Sequence, residues 1–262
     1  MQGQAVLRDA LAYYARQGET GGLRAFVAVL AELPDGVTQL PKGSRLAAEL
    51  ADTLTAAMAD DPLFGGTGLP VDPGVLLTPQ PHKRARVSVV SLVGLTSDEQ
   101  RCGFVSQLQM ALFSWVRRHP AGDRPLRGLL VLDEAQTLAP SAGVTACTAS
   151  TVALVGQARR YGLGLVFATS APKGLHAVPA SAATQFVGLV EGSAQITAVQ
   201  AMMAARGGLS HEVGALAEGV FYAATEGQPF AKILSPMCLT YHPTVPLTPH
   251  EIVARANTYP GT

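Results

Sequence analysis

The chain has 262 residues, enough for one large domain or two small ones. It is 48% hydrophobic and 15% charged, a composition that suits a well-buried α/β core. Its 19 basic residues balance its 19 acidic residues, so net charge gives no argument for nucleic-acid binding. No uninterrupted apolar run approaches the ~18 residues of a membrane span, and we expect no membrane association.

The cysteines and the N-terminus indicate the compartment. Cys102, Cys147 and Cys238 are odd in number and have no metal-ligand spacing, so the sequence predicts neither a disulfide framework nor a zinc site. This usage is typical of a reducing compartment. The N-terminus lacks the pattern of a secretory signal peptide. We therefore expect a cytoplasmic protein.

The first 60 residues have the apolar spacing of helices. Three such faces are Val6, Leu7, Ala10, Leu11 and Tyr14; Leu23, Phe26, Val27 and Leu30; and Leu46, Leu50, Leu54 and Met58. Ser44 is the expected N-cap of the third helix. Residues 61–82 are rich in Pro and Gly and are expected to be irregular. We therefore predict a helical segment over residues 1–62 and a separate part over residues 63–262.

The second part alternates between strands and helices. The pattern predicts strands at residues 86–93, 129–132 and 163–169. It predicts a helix after a Ser97–Gln100 capping box and another over residues 150–161 that ends at Gly162. This β-α-β-α-β order is typical of an α/β fold with a mostly parallel sheet. Further strands are expected at 184–190, 220–225 and 229–234, the last two as a hairpin, before a helix capped by Thr248.

Two adjacent acids follow the strand at residues 129–132. Asp133 and Glu134 end a continuous apolar run, and burying two carboxylates is costly unless a cation or a reaction requires them. In P-loop NTPases this strand tip carries an Asp that binds magnesium, and a neighbouring Glu can polarise the attacking water. The alternative is a strand that runs into an acidic, solvated turn.

Polar residues also follow the strand at residues 163–169. Thr169 and Ser170 could sense a γ-phosphate or position water, because the carboxyl ends of parallel strands share one edge. The alternative is a capped turn before Pro172. Arg159 and Arg160 end the preceding helix, where cations complement the helix dipole. The functional alternative is an arginine finger that reaches a neighbouring subunit's nucleotide. Because the helix leads directly into the strand at 163–169, we expect both arginines to lie near the ligand edge of the sheet.

The sequence contains no phosphate-binding loop. Such a loop needs Gly-x-x-x-x-Gly-Lys-Ser/Thr between a strand and a helix. The stretch from Pro41 to Ser44 has the letters in the wrong order, and the stretch from Gly65 to Gly68 lacks the Lys. We expect both to be turns. The chain also lacks the Gly-x-Gly-x-x-Gly turn that an unrelated Rossmann-type enzyme requires.

The chain resembles the C-terminal half of the HerA/FtsK-type ATPases, especially bacterial HerA-like ATP-binding proteins. The stretches that carry the resemblance are RVSVVSLVGL at 86–95, LVLDEAQ at 130–136, QARRYGLGLVFAT at 157–169, APKGL at 171–175 and ATQF at 183–186. The resemblance runs from about residue 64 to the C-terminus. The central motifs are specific in combination, whereas the helical first 60 residues add nothing to it.

The resemblance implies a RecA-like P-loop core, ATP with magnesium, and a hexameric ring that moves or unwinds DNA, with a nuclease as a possible partner. Asp133 and Glu134 match the Walker B pair. Arg159 and Arg160 match the basic pair in which these ATPases place a trans-acting Arg. Many relatives have Gln where this chain has Ser170, whose shorter hydroxyl would need a bridging water to reach as far.

The other departure is the absent Walker A half, which would lie upstream in a full-length relative. The chain therefore looks like a fragment, or a degenerate copy, of a longer ATPase. The leading hypothesis is the Walker B and sensor half of a HerA-like ATP-driven motor, inactive alone. The alternative is a non-catalytic nucleotide-binding or ring-assembly module.

Overall fold

The structure is a computed structural model that describes residues 2–18, 21–60, 72–176, 181–208, 212–236 and 244–258. The chain divides into two compact units, Met1–Pro70 and Val71–Thr262. The predicted boundary between residues 62 and 63 lies outside the described residues, as do Cys238 and the stretch from Gly65 to Gly68. The domain assignment therefore stays a prediction.

The first unit is helical, as the apolar spacing predicted. Its helices are α1 (Gln2–Gln17), α2 (Gly22–Ala31) and α3 (Gly43–Asp60). The buried side chains at their centre are Val6, Ala10, Phe26, Leu30, Leu33, Ala47 and Ala51. Tyr14 packs edge-on against Phe26 with ring centroids 5.6 Å apart. Because all three helices contribute side chains to this core, the apolar face of each helix is covered by the other two helices.

The start of α3 corrects one prediction. Ser44 is the second residue of the helix and not its N-cap, because the helix already begins at Gly43. Lys42 has a left-handed φ of 66°, and the N–H of Gly43 donates to the carbonyl of Leu40 at 2.9 Å. The stretch from Pro41 to Ser44 is therefore a turn that leads into a helix, as expected.

The second unit alternates helices and strands. Its first elements are α4 (Pro73–Leu77), α5 (Asp98–Arg118), β1 (Gly128–Leu132), α6 (Ala135–Leu138), α7 (Ala146–Gln157), a 3₁₀ turn (Ala158–Tyr161) and β2 (Leu163–Phe167). Its later elements are β3 (Gln185–Val187), α8 (Ser193–Ala204), β4 (Val220–Ala224), β5 (Ala231–Leu234) and α9 (Pro249–Thr258).

Strands β1 and β2 are parallel, which confirms the predicted α/β class. Their register runs from Gly128 opposite Leu163 to Leu132 opposite Phe167. The chain turns into β2 at Gly162, whose φ is 79° and where an added Cβ would lie 2.4 Å from that of Ala121. Glycine is therefore required there both by the backbone conformation and by the space.

Helices α5 and α7 cover one face of this strand pair. Trp115, Val116 and Leu154 from the helices pack there with Leu163 and with the half-buried Leu130. On the opposite face, Leu129, Val131 and Val166 are 52%, 57% and 44% exposed, so the described residues leave this face open. Parallel sheets are usually covered on both faces, so this exposed apolar face is unusual.

The predicted strand at residues 86–93 is absent. None of these residues belongs to a strand, and Val87 and Val89 are each 88% exposed. The Ser88 hydroxyl instead donates to the carbonyl of Leu76 at 2.8 Å. The β-propensity of this segment is high, but a strand also needs a partner ladder, and no described strand pairs with it. Only the second half of the predicted β-α-β-α-β order is therefore realised as paired strands.

The later strands form a separate sheet in the order β3-β4-β5. Both pairings are antiparallel, so the predicted hairpin of β4 and β5 is confirmed. The mostly parallel sheet expected from the sequence is thus a parallel pair beside an antiparallel trio. The predicted caps of α5 and α9 are also present: Ser97 Oγ accepts from the N–H of Gln100 at 3.1 Å, and Thr248 Oγ1 accepts from that of Glu251 at 3.3 Å.

Candidate functional site

The carboxyl ends of β1 and β2 lie side by side. Beyond the last paired residues the backbones remain joined, because the N–H of Ala168 donates to the carbonyl of Leu132 and the N–H of Ala135 donates to that of Ala168, each at 2.9 Å. This ladder brings Asp133 and Glu134 next to Thr169 and Ser170. The predicted gathering of acids and hydroxyls at one sheet edge is therefore present.

The backbone of Glu134 is strained. This residue caps α6 in the left-handed region, with φ 45° and ψ 44°. Such a conformation is uncommon for residues other than Gly, Asn and Asp, and strain of this kind clusters at functional sites. The carbonyl of Glu134 accepts from the N–H and the hydroxyl of Thr137 at 2.9 and 2.8 Å. These two bonds hold the turn that presents the carboxylate.

Asp133 is exposed beside Glu134. Its Oδ1 accepts a hydrogen bond of 3.0 Å from the N–H of Glu134. Among the described residues, no group of three or more His, Cys, Asp or Glu side chains could hold a metal ion on its own. The described side chains around Asp133 therefore do not form a complete metal-binding group by themselves.

Four side chains form a hydrogen-bonded cluster across the two strand tips. The Ser170 hydroxyl donates to Oε2 of Glu134 at 3.0 Å. The Gln136 amide nitrogen donates to the same oxygen and, at 3.3 Å, to Ser170 Oγ. The Thr169 hydroxyl donates to the Gln136 carbonyl oxygen at 2.6 Å. The cluster thus contains one residue, Gln136, that sequence reasoning missed, although it lies within the LVLDEAQ motif and could have been found as the amide two positions after the acids.

Thr169 also has the structural role considered from the sequence. Its hydroxyl oxygen accepts from the N–H of Ala171 at 3.1 Å, which caps the turn before Pro172. The hydroxyl therefore takes part in the turn and in the cluster at the same time. The two interpretations of Thr169 are compatible.

A cavity of about 200 Å³ opens beside the acids. It is lined by Leu92, Asp98, Arg101, Cys102, Asp133, Glu134, Thr137 and Leu138. Arg101 is anchored there, since it donates to the carbonyl of Leu95 at 3.0 Å and to the carboxylate of Asp98 at 2.9 Å. The cavity therefore has a carboxylate edge and one fixed cation.

Two thiols lie at this cavity: Cys102 lines it, and Cys147 contacts Cys102. Cys147 Sγ donates to the carbonyl of Cys102 at 3.3 Å, and Cys102 Sγ donates to that of Thr137 at 3.8 Å. Both are free thiols. Burial, aided by the neighbouring Cys102 thiol, raises the pKa of Cys147 from 9.0 to about 12. A thiol with so high a pKa is protonated and unreactive at neutral pH.

Arg159 and Arg160 lie at the other end of the strands. Both are exposed in the 3₁₀ turn that precedes β2, whereas Thr169 and Ser170 follow it. The five residues of β2 span about 16 Å at the usual rise of ~3.3 Å per residue. The expectation that these arginines lie near the ligand edge was wrong, because a helix that leads into a parallel strand ends at its amino end. They do not join the cluster of their own chain.

No helix of the described residues is both long and apolar enough to cross a bilayer. No protein-family profile matches the chain, and no curated protein sequence matches it.

Solved structures with a similar fold include the genome packaging NTPase B204 from Sulfolobus turreted icosahedral virus 2. In complex with ATP-gammaS it is 16% identical with a TM-score of 0.46, over 66% of this chain and 74% of that chain. In complex with AMP it is 15% identical with a TM-score of 0.47, over 64% and 73% of the two chains. Similarity at this level carries no argument about what the present chain binds.

Proposed function

We propose that this chain supplies the Walker B and sensor half of a HerA-like, ATP-driven DNA translocase or helicase with a RecA-like P-loop core. The observation that carries the proposal is the meeting of Asp133 and Glu134 with Thr169 and Ser170 at the carboxyl ends of two parallel strands. Ligands of open α/β sheets bind at this edge. Acids on one tip and hydroxyls on the next provide the polar groups that a nucleotide with a divalent cation requires.

Asp133 has the donor chemistry for magnesium. Its carboxylate is exposed and accepts one hydrogen bond from the backbone. Mg²⁺ keeps several waters and takes one or two carboxylates together with phosphate oxygens, so a single exposed carboxylate fits, with contact through water. When bound, the metal neutralises charge on the phosphates during transfer.

Glu134 is the proposed general base. Its strained backbone and its two side-chain donors hold the carboxylate at the strand tip, where it would polarise the attacking water. Thr169 and Ser170 would sense the γ-phosphate from the neighbouring tip. The side chains of Glu134, Thr169 and Ser170 are all held by hydrogen bonds that join the two strand tips.

A phosphate cradle has to come from outside these 262 residues, since the sequence has no Walker A loop. We assign this cradle to an upstream segment of the same reading frame. The open face of the β1–β2 sheet supports this assignment, because exposed Leu129, Val131 and Val166 leave room for covering structure. The helical residues 1–62 would then form a separate segment ahead of the Walker B part.

The proposed assembly is a homo-hexameric ring that binds ATP and moves DNA in the cytoplasm, with a nuclease as a further partner. Arg159 and Arg160 would act on the next subunit's ATP. Their position at the amino end of β2, away from their own carboxylates, favours action in trans over action in cis.

A second candidate is a non-catalytic nucleotide-binding or ring-assembly module. The absent phosphate cradle favours the non-catalytic and ring-assembly part of this alternative, because Asp133 alone cannot hold the phosphates of a nucleotide. The upstream reading frame separates the two candidates. A Gly-rich Lys-Ser/Thr loop in frame favours the motor, and a start codon with its own ribosome-binding site favours the module.

The test has two parts. The 262-residue chain alone should release no appreciable phosphate from ATP and magnesium; turnover in the range of about 1–100 s⁻¹ that Glu134→Gln abolishes would contradict this. In the intact gene product, Glu134→Gln should block hydrolysis but keep ATP binding, because Glu134 acts on water in the transition state. Asp133→Asn should weaken magnesium-dependent binding. Equal, severe loss of binding of a fluorescent ATP analogue in both variants would reject separate roles.

A further inference from the structure

Gln136 joins the two strand tips through its side-chain amide. The residue is half-buried in α6, two positions after Glu134. Its nitrogen donates to Glu134 Oε2 and to Ser170 Oγ, and its oxygen accepts from the Thr169 hydroxyl at 2.6 Å. One amide therefore contacts the carboxylate of the first tip and both hydroxyls of the second.

The orientation of this amide is determined by its partners. The Thr169 oxygen already accepts from the N–H of Ala171 at 3.1 Å, which leaves its proton for the Gln136 oxygen. A flipped amide would place that oxygen against the Glu134 carboxylate, where two acceptors repel each other. The donating nitrogen therefore faces Glu134, and the charge on the carboxylate strengthens that hydrogen bond.

The contacts leave one carboxylate oxygen available. Oε2 of Glu134 accepts from both Gln136 and Ser170, whereas no described residue donates to Oε1. A long acidic side chain at an exposed position samples several rotamers unless donors hold it. Two donors on one oxygen restrict the carboxylate and direct the other oxygen away from the cluster.

We propose that Gln136 is a positioning residue for Glu134, which holds Oε2 so that Oε1 faces the attacking water, and which couples this orientation to the sensor residues Thr169 and Ser170. The inference rests on the proposed ATPase function. It assigns to Gln136 no contact with nucleotide; its effect is on the geometry of the base. A change at Thr169 reaches Glu134 through the amide, whereas Ser170 contacts Glu134 both directly and through the amide.

The first test uses the 262-residue chain and needs no activity. In the ¹⁵N-labelled chain, the Gln136 side-chain amide signal is identified by its loss in Gln136→Met. Glu134→Gln, Thr169→Val and Ser170→Ala should each shift that signal, because the first removes the charge of a partner and the other two each remove a partner hydroxyl. Gln228→Met, at the exposed β4–β5 turn, is the matched control and should leave it unchanged. An amide signal unaffected by all three site variants would overturn the inference.

The second test uses the intact gene product. Gln136→Met removes both donor and acceptor at nearly constant size and should lower kcat by about ten- to hundred-fold with little change in KM, as loss of a hydrogen bond to a charged group predicts. The kcat of Gln136→Glu should be no higher than that of Gln136→Met, since the new carboxylate would lie against the carboxylate of Glu134 and repel it. Gln228→Met should retain wild-type kinetics.

The outcomes separate the inference from the function on which it rests. If wild type hydrolyses ATP and Gln136→Met matches it, or raises KM alone, the positioning role is wrong and the ATPase stands. If wild type hydrolyses no ATP, the proposed function fails, and with it the role of Gln136 in hydrolysis. The amide shifts then still decide whether Gln136 couples the two tips.

Discussion

The hydroxyl of Ser170 donates a hydrogen bond of 3.0 Å to Oε2 of Glu134, although the two residues are 36 positions apart in the chain. The contact joins the end of β2 to the end of β1. The contact is direct. The expectation that the Ser170 hydroxyl needs a bridging water to reach as far as the Gln of relatives concerns a different contact and stays a prediction. Ser170 therefore holds the Glu134 carboxylate directly. This contact is independent of whether the Ser170 side chain also reaches a bound substrate.

Replacing Ser170 should show which of these roles matters. Ser170→Ala removes one of two donors to Glu134 and should lower turnover of the intact gene product about tenfold, the effect of one charge-assisted hydrogen bond. Ser170→Gln should preserve or raise turnover, because a carboxamide can still donate to Glu134 and reaches further. Steady-state ATPase rates test both changes. A large loss with Ser170→Gln would mean that the site is too tight or that the hydroxyl has its own role.

Arg159 and Arg160 should act across subunits if the protein forms a ring. Subunits with Glu134→Gln, mixed with subunits carrying Arg159→Ala or Arg160→Ala, should recover ATPase activity, because some interfaces then pair an intact Glu134 with an intact Arg. Arginine fingers contribute about 10³–10⁵ in rate, so each variant alone should be nearly inactive. The phosphate release of each mixture is the measurement.

Two results would reject this assignment. If the Arg variants keep full activity alone, the arginines only complement a helix end, and their loss should cost a modest ~0.3–1 kcal/mol of stability. If they are inactive and mixing restores nothing, a role within the same subunit or a folding defect is the better explanation.

Helices α5 and α7 are linked by a buried polar group. Gln109 is 1% exposed, and its amide nitrogen donates to the Thr151 hydroxyl at 3.0 Å, while its oxygen accepts from that of Ser150. Gln109→Leu should lower the free energy of unfolding by about 1–3 kcal/mol, because the Thr151 hydroxyl then lacks this partner. Urea unfolding followed by the fluorescence of Trp115, the only tryptophan, measures the change.

A double variant provides the control. Gln109→Leu with Thr151→Val replaces both members of the Gln109–Thr151 pair by apolar groups of similar size, while Ser150 keeps its hydrogen bond to the carbonyl of Cys147. The double variant should therefore be more stable than Gln109→Leu alone. A double variant less stable than the sum of both single changes would show that the site requires polar groups for another reason.

Cys147 should make the protein less stable in alkali. The folded state keeps the thiol protonated up to a pKa of about 12, whereas the unfolded chain loses that proton from pH 9.0 upward. The unfolded state then binds fewer protons, and the free energy of unfolding falls by up to about 1.4 kcal/mol per pH unit across this window. The Cys147→Ala variant should lack this part of the alkaline fall in the free energy of unfolding.

The measurement is urea unfolding of both proteins at several pH values from 8 to 10.5. The difference between them isolates Cys147, because the other titrating groups are shared. Parallel pH dependences would show that the thiol is not protected by the fold, as would rapid labelling of native Cys147 with iodoacetamide at pH 8.

Local sequence determined much of the secondary structure. The apolar run of β1, the left-handed Gly162, the Ser97 and Thr248 caps and the β4–β5 hairpin all depend on neighbouring residues, so spacing and residue type predict them. The meeting of the β1 and β2 tips also followed from the sequence, because the alternation of strands and helices already implied a parallel pair.

Tertiary structure decided the rest, because pairing and side-chain contacts join residues that are distant in the chain. Residues 86–93 have the sequence of a strand, but without a partner ladder they form none. The direction of β2 separates Arg159 and Arg160 from the strand tips. This separation follows from the topology of the sheet and cannot be predicted from the residue types. Gln136 became part of the site only when the fold brought Thr169 and Ser170 within hydrogen-bond distance of its amide.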